Sequence, residues 1–286
     1  MAEIKDRILP VGIQSFEEIR KKGYLYVDKT DIIWQLANRG RKYNYLNRPR
    51  RFGKSVLVDT LQAYFEGRKE LFEGLKIMDL ETEWTKHPVI RLDMSRAGSS
   101  AHELNAYLNQ AFKEYEQKYN IETSPSDSLT NRFDAIIQSA YQQTGQQVVV
   151  LVEGYDSPLL NSWNTPHHEE CVSIYLNVFT ILKADDEYEE FVLITGTTKF
   201  TKLSLFSGLN NLSNISFEPE YAAICGITKE ELQNDFKPEI EKLADYENWT
   251  FDEAVAQLQA YYGGYHFSQR NMTEIFNPFS LIKALS

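Results

Sequence analysis

The chain has 286 residues, of which 42% are hydrophobic and 25% charged, and its formal net charge is −11. This composition suits about two globular domains with a sizeable core; it excludes a fibrous chain, and two cysteines are too few for a disulfide scaffold or a structural zinc site. No run approaches 18 apolar residues, and the N-terminus lacks the apolar stretch of a signal peptide, so we expect a cytoplasmic protein with no membrane partner.

Short apolar runs alternate with helical patterns over most of the chain. Buried strands are predicted at Tyr43–Leu46, Val89–Met94, Val148–Val152 and Phe191–Thr195. Helices are predicted at Ser55–Phe65, Glu103–Tyr119, Arg132–Thr144 and Glu169–Lys183, and a surface loop at 120–131. This alternation predicts an α/β fold in which helices flank a parallel sheet.

The pattern changes near residue 227. Thr228 and Glu231 have the spacing of a capping box, which indicates the start of a helix. Helical patterns follow at 229–244 and 251–262, and Gly263-Gly264 ends the second. We therefore expect a sheet domain over 1–226 and a small helical lid subdomain over 227–286.

The segment between the first strand and the following helix carries the strongest motif. Its end, Gly53-Lys54-Ser55, matches the phosphate-loop pattern G-x-x-x-x-G-K-[ST], with Arg48 in the place of the first glycine. Backbone N–H groups and the helix N-terminus would face phosphates, Lys54 would reach the terminal phosphates, and Ser55 would hold Mg²⁺. The predicted nucleotide-binding residues are Arg48, Pro49, Arg50, Arg51, Phe52, Gly53, Lys54, Ser55 and Val56.

A cluster of cations surrounds this motif: Arg39, Arg41, Lys42, Arg48, Arg50, Arg51 and Lys54. A triphosphate pocket, a nucleic-acid groove and an ordinary solvated face are all compatible with it. We favour phosphate contact for Arg50 or Arg51, and a solvated face for the first three. Because the whole chain is acidic, nucleic-acid binding is expected to be weak and salt-dependent.

A nucleotide hydrolase also needs an acid at the end of a buried strand, which orients Mg²⁺, and a neighbouring acid that polarises water. Glu153 has the position of the first acid and is a predicted metal ligand together with Ser55. Gly154 has the position of the second and offers no side chain. Glu153 and Asp156 are therefore the candidate catalytic residues. Asp93 is a further candidate, although a strand-end capping acid is the simpler interpretation.

Polar residues end the next strand along the chain. In a nucleotide hydrolase, such residues can contact the γ-phosphate or the attacking water. Thr195, Thr197 and Lys199 are the predicted sensor residues, and Thr198 has a similar position. An ordinary polar loop explains any single one of them equally well.

Taken together, these segments resemble the bacterial predicted AAA-ATPase-like family, many members of which carry a nuclease-like domain after the ATPase part. The resemblance rests on the Arg-Pro-Arg-Arg-Phe-Gly-Lys-Ser loop, which is itself the family's loop, and on motifs across nearly the whole chain. The other matching motifs begin at Leu9, Gly23, Thr195, Phe206, Tyr221 and Asn277.

The resemblance implies ATP and Mg²⁺ as ligands. The chain departs from the family where Glu153-Gly154-Tyr155-Asp156 replaces the usual Asp-Glu-Tyr-Asp, and where His266 stands in place of an arginine. We therefore expect an ATP-binding protein in which hydrolysis is weakened at the second acid. The alternatives are a nucleotide-binding module that does not hydrolyse, and a nucleic-acid-associated adaptor.

Overall fold

The computed structural model describes residues 8–39, 41–124, 126–198 and 211–286. Its centre is a five-stranded parallel sheet with the order β2-β3-β4-β1-β5. The strands are β1 (Tyr43–Asn47), β2 (Val89–Asp93), β3 (Val148–Glu153), β4 (Glu189–Gly196) and β5 (Ser213–Asn214). The prediction of an α/β fold is confirmed, and the four predicted strands are present, with ends that differ by one or two residues.

The helices lie on both faces of this sheet and in the C-terminal part. They are α1 (Phe16–Lys21), α2 (Thr30–Asn38), α3 (Lys54–Phe65), α4 (Ala101–Lys118), α5 (Leu129–Thr144), α6 (Ser157–Asn161), α7 (His168–Phe179), α8 (Ile181–Ala184), α9 (Lys229–Asp235), α10 (Lys237–Glu247), α11 (Phe251–Tyr262) and α12 (Pro278–Leu285). The side chain of Ser128 accepts the N–H of Asn131, so α5 begins inside the predicted loop 120–131.

Two predicted helices are each divided into two. The 229–244 pattern breaks at Phe236, because Pro238 lies in the first turn of α10 and cannot continue α9. The 169–183 pattern breaks at Thr180, where α7 ends and the short α8 begins. Hydrophobic periodicity continues across both breaks, so it could not locate them.

The two faces of the sheet belong to separate hydrophobic clusters. Alternate strand residues such as Val150 and Ile194 pack with α4, α5 and α7. Their neighbours, such as Leu151 and Leu193, pack with α1, α2 and α3. This division follows from the two-residue period of a strand, and it places the phosphate-loop helix α3 on the second face.

The C-terminal part has a hydrophobic cluster of its own, built from α9 to α12 with Leu9. A two-stranded antiparallel ribbon of β6 (Ile227–Thr228) and β7 (Ile275–Phe276) closes it. Across the described ranges, no helix has both the length and the apolar character needed to cross a membrane.

Candidate functional site

The loop from β1 to α3 lies at the carboxyl end of the central strands. Arg51 and Gly53 have positive φ angles of 65° and 87°, whereas Arg50 and Phe52 do not. An alternation of right-handed and left-handed residues is the backbone pattern of anion-binding nests, in which successive N–H groups face one side. Gly53 is the N-cap residue of α3 and adopts the left-handed conformation, which glycine reaches without steric cost.

The side chain of Lys54 is folded back onto this loop. Its Nζ atom donates to the backbone carbonyls of Arg48 and Pro49, both at 2.8 Å. Burial lowers the pKa of Lys54. The ammonium group is therefore held at the loop by two neutral acceptors, which anionic oxygens would replace with stronger bonds.

The predicted metal ligands meet directly. The hydroxyl of Ser55 donates to the carboxylate of Glu153, although the two residues are 98 positions apart in the chain. A hydroxyl and a carboxylate are the hard oxygen ligands that Mg²⁺ prefers, so this pair fits a magnesium site.

Arg91 is a neighbour of this pair that the motif search did not find. Its Nη2 atom lies 3.1 Å from Oε2 of Glu153. A sequence signal was present, because Arg91 interrupts the apolar run Val89-Ile90-Arg91-Leu92 in the middle of a strand.

Arg48 takes a different role from the one expected. Its side chain is almost completely buried, and its guanidinium donates to the backbone carbonyls of Ser216 and Tyr221. The guanidinium also lies 4.1 Å from the ring centre of Phe267. Burial lowers the pKa of Arg48 to about 10. Its side chain thus connects the loop to the chain beyond β5.

Asp156 is also engaged by its surroundings. It is buried, and its Oδ2 atom accepts hydrogen bonds from the backbone N–H and the hydroxyl of both Thr197 and Thr198, at 2.6–2.8 Å. The hydroxyls of Tyr45 and Tyr155 both donate to the carbonyl of Thr198. Asp156 and the two tyrosines therefore hold the turn that follows β4.

Of the remaining candidates, those in the described parts of the chain lie around this edge of the sheet. Thr195 pairs in register with Leu46, one residue before the end of β1, and its buried hydroxyl has no partner in the described parts of the chain. Gly154 has a φ of 62°. Asp93 accepts from the N–H and hydroxyl of Ser95, as a capping acid does. Lys199 lies outside the described residues.

A cavity of about 470 Å³ opens beside the loop. It is lined by phosphate-loop residues including Lys54 and Ser55, by the N-terminal segment, and by the first turn of α12. Its size is within the range of small-molecule sites. None of the described residues that line it is an aspartate or a glutamate.

The C-terminal helical part contacts the loop through aromatic side chains. The Arg51 guanidinium lies 4.3 Å from the ring centre of Phe279 in α12, and Phe52 packs edge-on against Tyr265 and Phe267. The loop and the helical part are thereby packed together. The helical part also contacts the start of α2: Nζ of Lys29 lies 2.5 and 2.6 Å from the two carboxylate oxygens of Glu231 in α9. His266, also in the C-terminal part, is exposed.

Two other cations of the basic segment form salt bridges. Arg41 forms a salt bridge with Glu218, and Lys42 with Asp186. The Arg48 side chain is buried, whereas Arg39, Arg50 and Arg51 of this segment are exposed.

Comparison with known proteins gives two findings. Residues 10–206 match the family described as predicted AAA-ATPase. The chain is also 36% identical, over 278 residues, to an uncharacterized protein from the vnfD 5′ region of Azotobacter chroococcum; the match covers 96% of this chain and 51% of that protein. The chain thus spans about half the length of the curated relative it matches. It belongs to the predicted AAA-ATPase family.

Proposed function

From this family membership and the geometry of the loop, we propose that the protein binds ATP together with Mg²⁺ and hydrolyses it slowly. The observation that carries the proposal is the meeting of Ser55 with Glu153 at the start of α3, beside the anion-binding turn at Arg51 and Gly53. Glu153 lies 98 residues from Ser55 in the sequence, and the turn at Arg51 and Gly53 directly precedes α3. Together, the turn, the hydroxyl and the carboxylate provide the groups that a magnesium–nucleotide complex requires.

In this proposal each residue has a defined task. Backbone N–H groups of residues 50–54 bind phosphate oxygens, and Lys54 leaves its two carbonyl acceptors for the terminal phosphates. Bound Mg²⁺, with Ser55 and Glu153 beside it, would neutralise charge on the phosphates. The sensor role of Thr195 is supported by its buried hydroxyl, which lies beside β1 and has no hydrogen-bond partner among the described residues. We assign Asp156 to positioning Thr197 and Thr198, since four donors already occupy its Oδ2 atom.

The cavity beside the loop is our proposed base site, and residues 227–286 are its proposed lid. Its lining is mostly apolar, which favours a stacked base. Guanine presents N–H donors that an acidic side chain would pair with, and the described lining contains no such acid. This supports ATP over GTP.

A calorimetric titration with ATP tests the binding site. Lys54→Ala should weaken ATP binding by about 2–3 kcal/mol, because a charge-assisted contact to phosphate is lost. Lys42→Ala is the matched control, since Lys42 lies at the other end of β1 and should leave binding unchanged. Equal affinities of the wild type and Lys54→Ala would contradict the site.

Slow hydrolysis follows from Gly154, which supplies no base for water. General-base catalysis contributes about 10²–10⁴-fold, so the double variant Glu153→Asp/Gly154→Glu should turn over ATP faster. The left-handed backbone at Gly154 costs a glutamate about 1–2 kcal/mol, so folding of the variant is checked in parallel. A wild-type turnover of about 1 s⁻¹ or more would contradict weakened hydrolysis.

The missing side chain at Gly154 also favours one alternative function, a nucleotide-dependent switch that does not hydrolyse ATP. ATP binding without any phosphate release, in both the wild type and a well-folded double variant, would support this alternative.

A further inference from the structure

The guanidinium of Arg91, a residue of the central sheet, lies next to the proposed metal site. Arg91 is the middle residue of β2 and lies in register with Leu151 of β3. One of its terminal nitrogens contacts Oε2 of Glu153 at 3.1 Å. The other donates to Oδ1 of Asp59 at 2.6 Å and to Gln62 at 3.1 Å. The cation thus lies between an acid of α3 and the acid of the metal site.

This cation is fixed from several directions. Asp59 is itself held, because its Oδ2 accepts the backbone N–H of Phe16 at 2.6 Å. The hydroxyl of Tyr115 accepts a hydrogen bond from the backbone N–H of Arg91 and donates one to its backbone carbonyl. A guanidinium is always protonated in proteins, and the carboxylates of Asp59 and Glu153 both contact this one. Arg91 is therefore a permanent positive charge in a fixed position.

The carboxylate of Glu153 is consequently divided between two partners. Oε1 accepts from Ser55, and Oε2 contacts Arg91, so neither oxygen is free to turn away from the loop. An uncompensated carboxylate here would repel the phosphates until a metal ion neutralised it, since unit charges in partly buried sites interact over several ångströms.

We propose that Arg91 is a built-in counter-cation for Glu153, a positioning residue that holds this carboxylate at Ser55 and makes nucleotide binding less dependent on Mg²⁺. The inference rests on the proposed function, because it requires ATP at the phosphate loop. It assigns to Arg91 part of the charge neutralisation that Mg²⁺ otherwise supplies alone.

The experiment measures ATP affinity by calorimetry in excess Mg²⁺ and in EDTA, and compares the two dissociation constants. Arg91→Gln keeps hydrogen-bond donors near Asp59 and Glu153 but removes the charge, and it should weaken binding in EDTA about tenfold while affecting the Mg²⁺ value less. Arg91→Lys keeps the charge and should restore the wild-type ratio. A purely structural role would lower both affinities together.

An unchanged ratio in Arg91→Gln, or Arg91→Lys behaving like Arg91→Gln, would overturn the inference while leaving ATP binding intact. Failure of the wild type to bind ATP in either condition would overturn the proposed function, and this inference with it. If Arg91→Gln does not fold, Asp59→Asn is compared with the Asp59→Asn/Arg91→Gln double variant, which keeps Glu153 and leaves one buried acid fewer unpaired. A tenfold loss of affinity in EDTA on removing Arg91 supports the inference there, and equal affinities overturn it.

Discussion

The acidic residues at the two ends of the central strands differ in the number of hydrogen-bond donors around them. At the carboxyl end, Asp156 receives four hydrogen bonds, and Glu153 receives one from Ser55 and a contact from Arg91. At the amino end, Glu189 begins β4 and is completely buried, and its described hydrogen-bond partner is the hydroxyl of Tyr43. Asp156 and Glu189, which are both buried, therefore have very different surroundings.

The amino end is short of donors. The Tyr43 hydroxyl has one proton, yet it faces Glu189, Asp186 and the carbonyl of Leu182. Within the described residues, Oε1 of Glu189 and Oδ2 of Asp185 have no hydrogen-bond partner. Burial, chiefly, raises the pKa of Glu189 to about 8 and that of Asp185 to about 7. Hydrogen-bond donors stabilise the ionised carboxylates at the carboxyl end, whereas burial with few donors favours the protonated form at the amino end.

Removal of Asp156, the acid that accepts four hydrogen bonds, should have the largest effect on stability. Asp156→Ala leaves the N–H groups and hydroxyls of Thr197 and Thr198 without their acceptor. We expect a loss of about 3–5 kcal/mol in the free energy of unfolding, measured by denaturant titration. A loss below about 1 kcal/mol would show that this turn does not depend on Asp156.

Glu189→Gln should stabilise the protein, but only at high pH. The folded-state pKa of Glu189, about 8, lies above its ordinary value of 4.5. Folding therefore favours the protonated form, and stability is lost as the pH rises from about 4.5 through 8. Glutamine imitates the neutral acid, so the variant should gain about 2–4 kcal/mol at pH 9 and little at pH 5.

The groups that face Glu189 are Tyr43, Asp185, Asp186 and Lys42, and all remain in this variant. The exposed Glu187 beside them offers the control Glu187→Gln, which should show no such dependence on pH. Equal gains for Glu189→Gln at pH 5 and pH 9 would contradict a neutral Glu189.

The smallest effect is expected at Asp93, which ends β2 at the same edge as Glu153. It accepts two hydrogen bonds, both from Ser95 in its own turn, and is less buried than Asp156. Asp93→Ala should cost about 1 kcal/mol, as loss of a capping acid does. A loss as large as that of Asp156→Ala in the same titration would remove the distinction between the two acids.

Local patterns were enough to predict the sheet, and they indicated the loop between β1 and α3 as a candidate for phosphate binding. The apolar runs at 89–94 and 148–152 are typical of strands that are covered on both faces. The motif Gly53-Lys54-Ser55 between a strand and a helix is typical of a phosphate-binding loop. The breaks at Thr180 and Phe236 were missed, because an apolar stripe can continue across a change of helix axis.

The sequence by itself determined which residue types stand at the ends of the strands, because strand period and motif spacing are local properties. Only the tertiary structure decided what each side chain does there. Arg48 was expected at the phosphates, but its guanidinium bonds to Ser216 and Tyr221, and Asp156 became the acceptor of a turn 41 residues further on. Arg91 reached Glu153 only because β2 and β3 are neighbours in the sheet. Hydrogen bonds between distant segments follow from strand order and burial, and neither is encoded in the spacing of residues along the chain.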